Sequence, residues 1–167
     1  MALITELQTK LIATLTGTAG LVTPVGPLDI RDRIRLTSGV GANQADKMYA
    51  ATRTLAASGT EDLDLAGVLT DPVGATLTYA RVKLIYVTAA AGNTNNVNVT
   101  RPAANGVPLF LAAGDGLAVK PGGMFAWAAP DATGVAVTAG TGDLLTFTNS
   151  AGSTSVTYSV VIVGASA

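Results

Sequence analysis

The chain has 167 residues and a formal net charge of −1, which suits one ordinary domain and gives no bulk field that would attract nucleic acid or anionic lipid. It contains no cysteine and no histidine. Without cysteine there can be no disulfide and no thiolate metal site. Without histidine the chain lacks the commonest general base and the commonest metal ligand, so we expect no cofactor.

The N-terminal residues predict an arm rather than a targeting segment. Residues 1–16 alternate weakly between apolar and polar, and the Gly- and Pro-containing stretch 17–27 follows as a flexible or extended connector. We therefore divide the chain into an N-terminal arm and connector, 1–27, and a β-sandwich domain, 28–167. Two placements of the arm remain open: across a neighbouring subunit, or as the first strand of the same sheet. Glu6 and Lys10 interrupt the apolar start, so we expect neither a secretory signal nor a membrane segment.

A clear alternation over residues 27–37 predicts a strand with a charged face. That face carries the candidate interface residues Asp29, Arg31, Arg33 and Arg35. Three arginines at this spacing suit phosphates, but the neighbouring acids oppose nucleic acid binding. Arginine is also the charged residue preferred at protein interfaces, so we expect ion pairs between strands or subunits.

The stretch LTSGVGANQADKMYAA, residues 36–51, resembles a phosphate-binding loop only superficially. Gln44 stands where a dinucleotide fingerprint needs its third glycine, and the flanks do not form a strand–turn–helix unit. We interpret it as a turn, in which Gly39 and Gly41 can take positive φ.

Short strands separated by turn residues dominate the remaining sequence. The stretch 76–87 alternates with period two, and the second half of 45–56 favours a strand over a helix. Further strands are predicted at 61–67, 96–100, 108–113, 124–129, 134–140, 143–149 and 153–164. This rhythm predicts an all-β fold, namely an antiparallel β-sandwich of jelly-roll type, with a barrel as the alternative.

Nothing in the sequence singles out a catalytic or metal site. Asp62 and Asp64 share a strand face near Asp71, but the calcium-loop spacing is absent, and an amphipathic strand with a hydrated acidic face explains them. The serines lack a nucleophile elbow and an activating histidine. We therefore do not expect an enzyme.

Charge is distributed unevenly along the chain. Residues 1–83 hold sixteen charged side chains, whereas residues 84–167 hold five. Charged residues are depleted at the cores of protein interfaces, so the C-terminal half suits contact with other protein chains. A weakly charged but hydrated surface is the alternative.

Three features resemble a family of small virion structural proteins of tailed bacteriophages. They are GANQAD, then DLAGVLTDPVG leading into VKLIYV, and the Pro-Gly-Gly turn before an apolar strand, within residues 28–164. The resemblance implies a β-sandwich that assembles on the virion inside the host cytoplasm.

We therefore expect a capsid-decorating or cementing protein, which binds the major capsid protein and copies of itself, without nucleic acid or membrane partners. A tail or adaptor component of the same virion is the runner-up. A secreted adhesin or carbohydrate-binding module is a more distant alternative, because it would need a signal peptide and more aromatic residues.

Overall fold

The computed structural model describes residues 2–18 and 20–167, and within these ranges the chain is all-β with no helix. This confirms the all-β part of the predicted fold class. The strands are β1 (Thr5–Thr16), β2 (Val25–Ser38), β3 (Gln44–Ala45), β4 (Lys47–Leu55), β5 (Thr60–Asp64), β6 (Arg81–Ala89), β7 (Val97–Thr100), β8 (Gly116–Val119), β9 (Met124–Ala128), β10 (Val135–Ala136), β11 (Leu144–Asn149) and β12 (Val156–Ala165).

Two open sheets enclose the main core. The five-stranded sheet has the order β10-β6-β12-β4, with β9 also pairing with β6, and the four-stranded sheet has the order β5-β11-β7-β8. All pairings within these two sheets are antiparallel. Because side chains alternate across a strand, every second residue enters the core.

The core is built from alternating apolar residues of both sheets. Its fully buried members include Ile85, Val87, Val160, Ile162, Leu63, Val97, Val99 and Leu145. Each such burial contributes roughly 1.5–3 kcal/mol. Phe147 of β11 and Tyr158 of β12 stack between the sheets, with ring centroids 4.6 Å apart and planes at 9°. The two sheets therefore form a sandwich-like body around one core.

The N-terminal residues form a long hairpin outside these two sheets. β1 and β2 pair antiparallel along their full lengths, from Thr5 opposite Leu36 to Thr16 opposite Val25, and β3 adds to β2 in a short parallel pair. We call residues 5–38 the arm. The boundary predicted at residue 27 therefore lies inside β2. β1 pairs with β2 and with no strand of the core sheets in the described ranges.

The predicted strict alternation of β6 is wrong at one residue. The register between β6 and β12 shifts so that Lys83 has no partner, which is a β-bulge. As a result Val82 and Ile85 both belong to the main core, whereas Leu84 lies on the opposite side of the sheet. The Lys83 side chain is buried and its Nζ donates to the carbonyl oxygen of Asp131.

Three other strand predictions differ from the structure. The stretch 134–140 contains only the two-residue strand β10, Val135–Ala136. Residues 76–80 are not strand, so β6 begins only at Arg81, and the stretch 108–113 is turn and bend. In the latter stretch, Arg101 Nη1 donates to the carbonyl oxygen of Phe110 at 3.0 Å. The carbonyl oxygen of Phe110 therefore accepts a hydrogen bond from a side chain and does not pair with a neighbouring strand.

Candidate interaction surface

The register of β1 and β2 gives the arm two chemically different faces. Leu7 lies opposite Ile34, and Leu11 lies opposite Ile30, so apolar side chains of both strands share one face. The opposite face carries the charged residues Glu6, Lys10, Asp29, Arg31, Arg33 and Arg35, whereas Asp32, opposite Thr9, is the one charged residue on the apolar face. The arm is therefore an amphipathic two-stranded ribbon.

The base of the arm packs its apolar face on the body. Leu36 is 1% exposed and, with the half-buried Leu7 and Ile34, it joins a second apolar cluster. The body contributes Leu84, Val163, Met48, Tyr86, Ala128 and Val161 to that cluster. These six residues lie on the side of the five-stranded sheet that faces away from the main core, which we call the outer face.

Beyond its base the arm is exposed. Every residue of 9–16 and of 20–33 is exposed, including Leu15 at 78% and Leu11 at 57%. Residues 11–28, which we call the distal arm, contain no charged residue. An isolated two-stranded hairpin is marginally stable in water, so an exposed apolar ribbon of this length is typical of a surface that another chain covers.

The predicted interface residues all lie on the charged face of β2 and are exposed. Arg31 pairs with Asp29 of the same strand, with Nη2 to Oδ2 at 2.6 Å, and Arg33 pairs with Glu6 across the two strands. Arg35 lies opposite Glu6 in the register, and it has no ion-pair partner among residues 2–18 and 20–167. The charged face is therefore held together mainly by pairs within the arm itself.

These pairs shift the pKa values of the acids. The hydrogen bonds from Arg31 lower the pKa of Asp29. The pKa of Glu6 is lowered first by the hydrogen bond from Gln8 and then by Arg33. Both carboxylates are fully hydrated, so these shifts describe local geometry and add little to stability.

Apart from Arg81 at the end of β6, the outer face of the five-stranded sheet carries no charged side chain. Its other side chains include Met48, Ala50, Thr52, Thr54, Leu84, Tyr86, Thr88, Met124, Ala126, Ala128, Thr157, Ser159, Val161 and Val163. Paired hydroxyls cover the part farthest from the arm: Thr52 and Ser159 lie 2.9 Å apart, and so they satisfy each other. The outer face therefore combines apolar residues near the arm with uncharged hydroxyls beyond it.

A groove of about 410 Å³ separates the arm base from the outer face. Residues 5–9 of β1, which include Glu6 and Leu7, line it on the arm side, and Tyr86, Val161 and Met124 line it on the sheet side with Leu84. Met124, the first residue of the edge strand β9, is 58% exposed. The groove is an apolar recess that remains open beside the arm.

The other sequence candidates have local structural roles. The Asp62 Oδ1 accepts a hydrogen bond from Thr146 at 2.5 Å, and Asp64 accepts one from its own turn. Asp71 holds the turn that follows it through two backbone N–H groups. Within residues 2–18 and 20–167, no group of three or more potential ligands could hold a metal ion.

The glycine-rich stretch is a closed turn. Gly39 has φ of 144° and Gly41 donates its N–H to Gln44 Oε1 at 2.9 Å, so the Gln44 side chain fills the loop where a phosphate would have to lie. Asn43 takes a positive φ of 55° and donates its N–H to the Pro130 carbonyl oxygen at 2.6 Å.

Sequence reasoning missed one polar cluster between the two sheets. Arg53 Nη2 lies 2.5 Å from Glu61 Oε2, and the Tyr158 hydroxyl donates to Glu61 Oε1 at 2.7 Å. Arg53 also donates to the Tyr49 hydroxyl at 3.1 Å. The sequence did indicate this cluster, because Arg53 shares its predicted strand face with Tyr49 and Leu55. A charged side chain on an apolar strand face needs a partner of opposite charge.

No family model, curated protein or solved structure matches this chain. In the part of the chain that the structure describes, no helix is long and apolar enough to cross a membrane. The candidate interaction surface is therefore defined by the arm and the outer face of this chain alone.

Proposed function

We propose that this chain is a structural subunit of a tailed-bacteriophage virion. In this proposal it decorates or cements the capsid by binding the major capsid protein and copies of itself. The proposal includes a body of jelly-roll type and assembly inside the host cytoplasm.

The observation that carries the proposal is the distal arm. It presents Leu11, Leu15 and Leu28 to solvent on one face, with no charge between residues 11 and 28. In a monomer the exposed apolar ribbon is hydrated at a cost in free energy, whereas in an assembled shell a neighbouring chain covers it. Repeated over many copies, a small contact of this kind gives strong overall attachment.

The resemblance over residues 28–164 supports the same class of protein. So does the nearly uncharged outer face, because charged groups are depleted at the centres of protein interfaces. A carbohydrate-binding module is supported less well: all eight aromatic residues are buried or half-buried, and sugar sites use exposed aromatic rings.

The experiment is to measure the chain in purified particles of the phage that encodes it. Quantitative mass spectrometry should find it at a copy number close to that of the major capsid protein. A copy number that matches the symmetry of tail rings would support the tail or adaptor alternative instead. Absence from the particles would refute the proposal altogether.

A shortened arm tests the surface that carries the proposal. Lys10 and Arg31 lie opposite each other, so residues 11–30 can be replaced by Asn-Gly, which closes a two-residue hairpin. The variant keeps the arm base, and we expect it to fold and yet fail to bind shells that lack the protein. Leu111→Glu, at a loop residue that is 99% exposed, is the control that should bind as before.

A further inference from the structure

We infer that the distal arm of one copy docks on the outer face of a second copy, in the groove floored by Tyr86, Val161 and Met124. This inference rests on the proposed function, since it names a partner and a contact site for the arm of an assembly protein.

The first argument is continuity. Within one chain, the apolar face of the arm base already packs on this outer face, through Leu7, Ile34 and Leu36. Beyond the polar pair Thr9 and Asp32, the same face of the ribbon continues outward through Leu11, Ile30 and the residues beyond them. The outer face, which packs against the arm base, therefore has the apolar chemistry that the distal arm also needs for binding.

The second argument is charge. The distal arm has no charged residue, and the outer face has one, Arg81, at the end of β6 where it lies opposite Ala165. The outer side of the four-stranded sheet, by contrast, carries Asp62 and Asp64. Burying an unpaired carboxylate under an apolar ribbon is costly, so the outer face is the better receptor of the two.

The third argument is area. Eight residues of a strand span roughly 27 Å, and two strands are roughly 10 Å wide, so one distal arm covers about 270 Å². A stable interface needs about 800 Å² from each partner. One contact covers about a third of this area, whereas a dimer in which each copy gives an arm and receives one covers about 540 Å² on each copy. The reciprocal dimer therefore comes closer to a stable interface than a single contact does, and we expect weak, concentration-dependent association.

The test uses full-length variants at exposed residues. In analytical ultracentrifugation of a concentration series, the wild type should associate, whereas Leu15→Glu and Met124→Glu should each raise the dissociation constant about tenfold or more. Leu111→Glu is the matched control and should associate like the wild type. Circular dichroism should show that all three variants keep the fold.

Mixing the two defective variants gives the decisive result. The Leu15→Glu variant keeps an unaltered groove, and the Met124→Glu variant keeps an unaltered arm. In the mixture, the arm of a Met124→Glu copy can therefore dock in the groove of a Leu15→Glu copy, which gives each mixed pair one wild-type contact. Association should therefore be stronger in the mixture than in either variant alone. No gain on mixing would overturn the inference.

Other outcomes separate this inference from the proposed function. A wild type that stays monomeric up to about 1 mM overturns the docking of copies, even where the chain is found on virions. If Leu15→Glu then abolishes binding to capsid shells, the arm contacts the major capsid protein and not a second copy. Association that follows the expected pattern, in a chain absent from virions, upholds the docking and refutes the proposed function.

Discussion

Glu61→Gln should destabilise the protein at neutral pH and have no effect in acid. The substitution keeps the size of the side chain but removes the charge that Arg53 contacts at 2.5 Å. Exposed ion pairs contribute about 0.2–1 kcal/mol, whereas breaking a buried pair costs about 3–5 kcal/mol. The Glu61 side chain is 19% exposed and that of Arg53 is 38% exposed. Because solvent screens the arginine, we expect a loss of about 1–2 kcal/mol, or a fall in Tm of about 2–8 °C.

The pH dependence follows from the pKa of Glu61. Burial acts to raise this pKa, but the hydrogen bonds from Arg53 and Tyr158 outweigh burial, so the pKa lies below its ordinary value of 4.5. The folded state therefore binds the proton more weakly than the unfolded state does. The stabilisation is complete above 4.5 and is lost as the pH falls through the lowered pKa.

Urea unfolding of the wild type and Glu61→Gln at pH 7 and at about pH 3 measures this difference. The two proteins should differ at pH 7 and converge in acid. Glu6→Gln is the matched control, because Glu6 also pairs with an arginine but lies on the hydrated arm; it should match the wild type at both pH values. An equal loss for Glu61→Gln at both pH values would show that packing and not charge is responsible.

Three further substitutions test the body and the arm. Phe147→Ala removes a fully buried ring and should cost about 3–5 kcal/mol in urea unfolding; a loss below about 1 kcal/mol would contradict its place in the core. A Cβ on Gly164 would lie 2.1 Å from a backbone oxygen, so Gly164→Ala should cost about 1–3 kcal/mol, while Gly92→Ala, with open space around it, should leave Tm unchanged. The combined replacement of Arg31, Arg33 and Arg35 by Ala should weaken incorporation into particles without lowering Tm; unchanged incorporation would remove these arginines from the interface.

The sequence alone predicted the all-β class and most strands. Period-two alternation is local information, and it placed strands over 27–37, 143–149 and 153–164 close to their observed bounds. It also separated the apolar from the charged side of β2. It missed β8, Gly116–Val119, because glycine turn signals precede this short strand and obscure it.

The tertiary structure decided which strands are partners. The weak alternation of residues 1–16 is compatible with an edge strand of the main sheet, but β1 pairs with β2, and this pairing turns a presumed connector into an amphipathic ribbon. Strand pairing depends on hydrogen bonds between distant residues, which alternation along one segment cannot encode.

The same reason explains the bulge and the buried ion pair. The extra residue at Lys83 is defined only against its partner strand β12, and the partner of Arg53 lies eight residues away on the opposite sheet. The composition determined that the distal arm and the C-terminal half carry few charges. Only the tertiary structure placed the apolar face of the arm base on the outer face, because burial is a property of the folded chain and not of any one segment.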